Sequence, residues 1–215
     1  MNIDRLRSNL DGVRSRIAAA CARAGRDPSG VTLVVVTKSV PADVIPRLAE
    51  LGVRDIGENR PVEALARVGG LTAFRRHMIG HLQTNKIAKV LAWADVLHSG
   101  DRPSLLEALA KQPRKLPVFV QVNVSGEASK GGYAPEDAEG AVAGARRGGL
   151  EVQGFMTMAP EGSDARPHFR RLRELAARIG VPGLSMGMSQ DYEVGVEEGA
   201  THVRVGTAIF EGVLI

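Results

Sequence analysis

The chain has 215 residues, enough for one sizeable core and too few to divide comfortably into two. Its 44% hydrophobic and 24% charged residues fit an ordinary globular domain. The net charge of +4 is scattered arginine, densest from Arg166 to Arg178, and only 4% of residues are aromatic, so no nucleic-acid surface is expected. One cysteine, Cys21, excludes an internal disulfide and a cysteine-rich metal site. The charged N-terminus (Asp4, Arg5, Arg7) and the lack of a spanning segment make a cytoplasmic protein, not bound to membrane, the expectation.

Met1 to Ala24 reads as a helix, with Ile3, Leu6, Leu10, Val13, Ile17 and Ala20 at helical spacing, Cys21 on the apolar face and Gly25 as a stop. Val31 to Lys38 follows, a β-branched apolar run without alternation, as in a strand covered on both faces. A helix through Ile45, Leu48 and Leu51 leads to a short strand, Val53–Ile56. Then come Gly57-Glu58-Asn59 and a helix with Val62, Leu65, Ala66 and Val68. The next strands are His77–Ile79, Ala94–His98 and Pro117–Val124, with helices Thr84–Leu91 and Ser104–Lys111 between them. Gly126–Gly132 is a polar loop, Pro135–Ala145 a helix, Leu150–Met156 a strand and Ala165–Ile179 a long helix. Two short units close the chain: Gly183–Ser185 with a helix near Tyr192–Glu198, and His202–Val205 with a turn at Ala208–Gly212.

Eight strands, each followed by a helix or turn at a spacing of roughly 20 to 30 residues, predict an α/β fold, a single (β/α)8 TIM-type barrel with an extra N-terminal helix. A doubly wound sheet is disfavoured because no Gly-x-Gly-x-x-Gly follows the first strand. In a barrel, function gathers where strands end. Those ends carry Lys38, Glu58-Asn59, His81 with Gln83 and Asn85, His98-Ser99, Asn123 with Ser125 and Lys130, and Met156-Thr157-Met158. Ser185 to Ser189 and Gly206-Thr207 are glycine-containing turns after the last two strands, where a barrel commonly binds phosphate. A phosphate cup facing a lysine suits a phosphorylated aldehyde held as a Schiff base. Position alone leaves Lys38 equally open to being a solvated lysine or the partner of Glu58. His77 and His81, four apart on a strand rather than a helix and without nearby Cys or Asp, do not form a metal pair.

The chain resembles the pyridoxal phosphate homeostasis protein family, single-domain barrels similar to the N-terminal domain of alanine racemase. The matching segments are Val35–Lys38, Ile56-Gly57-Glu58-Asn59, His77–Lys86, Leu97-His98-Ser99, Gln121–Gly132, Gly154–Pro160 and Leu184–Phe210. The resemblance implies a barrel of PLP fold-type III. It also implies pyridoxal 5′-phosphate (PLP) held as an internal aldimine on Lys38. Arg204 then falls near the pyridine nitrogen, Ser189, Gly206 and Thr207 at the phosphate with Ser185 and Met186 beside it, and Asn59 and His81 along the ring. Three positions depart from the family pattern: Val40, where a second lysine is frequent, Arg60 after Glu-Asn, and Arg76 before the first His.

Two functions remain open on sequence. One is a non-catalytic carrier or buffer of PLP, with apo PLP-dependent enzymes as partners. The other is a racemase or decarboxylase of the same barrel type. Such enzymes carry a further β-rich domain, whereas this chain ends at Ile215 after the eighth unit, and a monomer is the default. A racemase also needs a second base, and Tyr133 and Tyr192 are the only phenols. The carrier is the expectation.

Overall fold

The computed structural model describes residues 2–127 and 130–213. Met1, the centre of the Gly126–Gly132 loop (Ala128 and Ser129) and Leu214-Ile215 lie outside the described residues. Eight parallel strands close in sequence order into a barrel. They are β1 (Thr32–Val36), β2 (Asp55–Glu58), β3 (Arg75–Met78), β4 (Val96–Gly100), β5 (Val118–Gln121), β6 (Val152–Met156), β7 (Gly183–Ser185) and β8 (His202–Val205). Register pairs Val35 with Ile56 on one side and with Val205 on the other, so β1 seals the ring against β8. The helices are α1 (Ile3–Arg23), α2 (Ile45–Glu50), α3 (Glu63–Val68), α4 (Ile87–Leu91), α5 (Pro103–Ala110), α6 (Ala138–Arg147), α7 (Arg166–Ile179), α8 (Tyr192–Glu197) and α9 (Thr207–Phe210).

Because strand side chains alternate, each strand feeds two environments. The outward set, including Val35, Ile56, Leu97, Val120, Phe155 and Val203, joins the helices in one continuous buried core. The inward set is different. Its apolar part is a small separate cluster of Val96, Phe119 and Met156. Inside, His77, His98 and His202 pack with Phe119 at ring-centroid distances of 4.6 to 6.2 Å, beneath Ser185 and Arg204. Glycine makes the room: a Cβ on Gly183 would lie 2.4 Å from the Gln153 carbonyl oxygen and 3.0 Å from the Phe119 ring.

The extra helix is real. Asn2 caps α1 by accepting from the Arg5 amide at 2.9 Å, and Leu6, Leu10, Val13, Ile17, Ala20 and Cys21 are buried along one face. Each buried aliphatic side chain stabilises by about 1.5–3 kcal/mol relative to exposure. That face packs on α8 and α9, and Asn9 Nδ2 donates to the carbonyls of Ile209 and Glu211.

Two strands sit later than the alternation predicts. β2 runs through Glu58 and β4 through Gly100, so Glu58, His98 and Ser99 belong to the strands and not to the exits beyond them. Ala94 falls outside β4, next to Trp93, whose indole N–H donates to the Pro61 carbonyl at 3.0 Å.

Candidate functional site

Lys38 follows β1 in the inward parity of Val34 and Val36, and its side chain is exposed at the barrel mouth. The neighbouring carboxylate does not hold it. Glu58, almost fully buried, accepts from Thr37 Oγ1 at 2.7 Å and from Arg67 Nε at 3.3 Å. Arg67 also donates to the carbonyls of Thr37 and Val40. The acid is therefore spent on fixing the backbone around the lysine. Lys38 Nζ makes no hydrogen bond or ion pair among the described residues, so the Glu58 pairing open on sequence is not formed.

Beside it lies the β8 turn. Gly206 presses on β1, where a Cβ would stand 3.0 Å from the Val36 carbonyl oxygen, two residues before Lys38. Its amide donates to Ser189 Oγ at 3.3 Å, which ties the turn after β8 to the turn after β7 and leaves the Ser189 proton free to point elsewhere. Gly187 has a φ of 96°, and a Cβ there would meet Tyr192 Cα at 2.8 Å; only glycine fits. Thr207 is exposed at the start of α9. Ser185 and Met186 lie at the base of these turns. Ser185 ends β7 with its hydroxyl in the bore, and Met186 is buried in the outer core with its amide donated to the His202 carbonyl. Neither offers a group to a phosphate.

Across the mouth, Gly80 lets the β2 and β3 exits touch: a Cβ would fall 2.2 Å from the Asn59 carbonyl oxygen. Asn59 Oδ1 is buried without a hydrogen-bond partner. His81 stands on the rim, its side chain 64% exposed, with Nδ1 2.8 Å from Asp101 Oδ2. Asp101 also accepts from Arg102, so it is a buried anchor for His81. Sequence reading missed Asp101, an acid directly after a strand twenty positions beyond a strand-end histidine. The exit residues Asn123 and Ser125 serve their own loop: Asn123 donates to the Glu127 and Lys130 carbonyls and accepts from Ser125 and Gly126.

Below the mouth Arg204 is buried, donating from Nη1 to Ser185 Oγ and from Nη2 to the Thr157 carbonyl. No carboxylate bonds to it, and its remaining N–H groups find no acceptor among the described residues. Burial lowers its pKa from 12.5 to about 10, with distant Asp191 opposing, so it stays a cation at neutral pH. The three histidines beneath are neutral there. Burial, then His77 and Arg75 nearby, lowers His202 to about 4; His77 moves down for the same first reason and His98 further down. The partner of His77 is thus His98, at 2.8 Å, not His81. Among the described residues no group of three or more His, Cys, Asp or Glu side chains could hold a metal.

The departures have physical accounts. Val40 is a core residue under Arg67, Arg60 is exposed, and Arg76 forms a two-point pair with Asp95 at 2.9 and 3.0 Å. The phenols are not poised as bases. Burial, then Asp101 and Glu107, raises Tyr133 to about 12, and burial also raises Tyr192, which lies in the outer core.

The alanine racemase N-terminal domain family model matches residues 2–212. A pyridoxal phosphate homeostasis protein of Pseudomonas aeruginosa is 41% identical over 214 residues, covering 94% of this chain and 93% of that one. The Aquifex aeolicus protein of the same name is 39% identical over 217 residues, covering 94% and 95%. Among solved structures, PipY of Synechococcus elongatus with PLP bound superposes with a TM-score of 0.81 at 30% identity, over 95% of this chain and 99% of that one.

Proposed function

Because the chain belongs to the pyridoxal phosphate homeostasis protein family, built on the alanine racemase N-terminal domain, we propose that it binds PLP covalently through Lys38 and serves PLP homeostasis as a carrier or buffer without catalytic turnover. The observation that carries this is the unengaged Lys38 amine beside the Gly206 turn, with the nearby carboxylate held by Thr37 and Arg67. The bore and rim suit such a group: a buried guanidinium lacking a counter-ion, an orphaned Asn59 Oδ1, and glycines that admit close approach.

When bound, the group supplies an aldehyde that condenses with a primary amine, water leaving with the carbonyl oxygen. This chain's residues divide the remaining tasks. Lys38, open to solvent, supplies the amine. Arg204, held by Ser185, would offer the ring nitrogen a donor, which would leave that atom unprotonated and the ring a weak electron sink. Ser189, Gly206 and Thr207 hold the phosphate, and Asn59 and His81 flank the ring. Ser185 acts through Arg204, and Met186 supports the turn from below. An exposed lysine favours exchange over retention, which suits delivery to apo-enzymes by a cytoplasmic monomer. A racemase would require a second base, whereas both phenols have raised pKa values.

The test is to load the protein with PLP, reduce with borohydride and locate the adduct by mass spectrometry. Label on Lys38, with no enantiomer exchange of L-alanine or CO2 release above a Lys38→Ala control, is the expected result. Label elsewhere, or turnover above that control, overturns the reading.

A further inference from the structure

The bore contains a line of polar contacts that continues inward from the Arg204–Ser185 pair, through groups that no step above uses. Starting at the mouth, Arg204 Nη1 meets Ser185 Oγ. Ser185 Oγ lies 2.8 Å from His98 Nδ1, His98 Nε2 lies 2.8 Å from His77 Nδ1, and His77 Nε2 lies 2.9 Å from Asp55 Oδ1. Ser185, His77 and His98 are fully buried, and among the described residues these contacts are the ones that satisfy their side chains. Asp55 begins β2 at the opposite end of the barrel, its side chain 21% exposed beside a cavity of about 380 Å³ that Arg14, Thr32 and Arg54 also line.

The chemistry of the two ends fixes the direction of every bond between them. An arginine can only donate, so Ser185 Oγ accepts from it, and the carboxylate at the other end can only accept, which with neutral rings makes Ser185 send its single proton to His98 Nδ1. That ring nitrogen is then an acceptor, so His98 carries its proton on Nε2 and donates to His77 Nδ1. His77 in turn carries its proton on Nε2 and donates to the Asp55 carboxylate. The reverse order would set an unprotonated His77 Nε2 against a carboxylate oxygen at 2.9 Å, two acceptors in contact. Both histidines are neutral in this arrangement, in agreement with the lowering of their pKa values by burial. His202 stands outside the line, its Nδ1 2.9 Å from Thr201 Oγ1.

We propose that Asp55, His77, His98 and Ser185 form a one-way hydrogen-bonded chain that orients Arg204, making Asp55 a positioning residue for the cofactor site from the far end of the barrel. The aligned bond dipoles present their negative ends to the guanidinium and their positive ends to the carboxylate. A cation and an anion too far apart to touch are thereby coupled through three side chains, each bond polarising the next. Arg204 then keeps one face committed to Ser185 and Thr157, and the other directed at the mouth. The part concerning the cofactor rests on the function proposed above; the bond directions do not.

The test reads the histidine tautomers directly, by 15N–1H correlation on cofactor-free, 15N-labelled protein at pH 7.5. His77 and His98 are both expected as the neutral Nε2–H form. An Nδ1–H tautomer or an imidazolium at either overturns the proposal. Asp55→Leu removes the terminal acceptor and is expected to produce a mixture of tautomers at His77 and His98, whereas Asp55→Asn, which keeps an acceptor oxygen, retains the wild-type pattern. In the PLP-loaded protein the absorption maximum is expected to move in Asp55→Leu and not in Asp55→Asn. An unmoved maximum in both, with PLP bound, refutes the positioning role. Should Asp55→Leu fail to fold, the wild-type tautomers and the Ser185→Ala variant decide. Ser185→Ala is expected to free His98 to exchange tautomers and to shift the same maximum; with both unchanged, the proposal fails. Protein with the expected tautomers that binds no PLP overturns the function and leaves the chain intact.

Discussion

Acid should destabilise this fold before its carboxylates titrate, and His202 sets the scale. In the unfolded chain a histidine binds its proton near pH 6.5, whereas in the folded bore burial, then His77 and Arg75 nearby, lowers His202 to about 4. The folded state therefore binds fewer protons than the unfolded state between these values. Stability is full above pH 6.5 and falls as pH drops toward 4. At pH 5 the linkage from His202 alone removes about 2 kcal/mol relative to pH 7.5. His77 and His98, also lowered, act in the same direction. With a urea dependence of about 2 kcal/mol per molar, the midpoint should fall by about 1 M or more. Urea titrations at pH 7.5 and 5.0, followed by circular dichroism, measure this directly. His202→Asn removes the titrating group and should shrink the difference by about 1 M. Equal midpoints at the two pH values, or an undiminished difference in the variant, would refute the reasoning.

Gly80→Ala places a Cβ 2.2 Å from the Asn59 carbonyl oxygen, against backbone that cannot yield cheaply. A loss of about 1–3 kcal/mol is expected in urea denaturation, with weaker PLP retention as Asn59 is displaced. Glu58→Gln weakens the contacts that hold Thr37 and Arg67. It should cost about 2 kcal/mol by thermal melting, the half-open Arg67 moderating the penalty for a broken buried pair. Ser189→Ala removes a hydroxyl whose proton is free to meet a phosphate. Its dissociation constant for PLP, by absorbance titration, should rise about tenfold, with folding unchanged.

The barrel was legible in the sequence because turn residues punctuate it at regular intervals, and even the short runs Gly183–Ser185 and His202–Val205 emerge as strands with those bounds. The contents of the bore were not. Hydrophobicity sees one apolar strand whichever face is buried, so His77, His98 and Ser185 read as mouth residues or isolated polar positions when they lie deep inside. Neighbours such as His77 and Asp55, or Ser185 and Arg204, come together through inter-strand register, which no local pattern encodes. The place of Lys38 just past β1, exposed at the barrel mouth, was readable from the apolar run that precedes it. That Glu58 is withdrawn from it depends on Arg67, a helix residue with no motif to mark it.

Helix α1 rests on α8 and α9, and β1 pairs with β8, so elements about 170 to 200 residues apart complete one another. During synthesis the Leu6–Ile17 face leaves the ribosome well before the residues near 200 that cover it, and waits with its oily side unsheltered. Ring closure is thereby a late event, and chaperone dependence should concentrate in that interval.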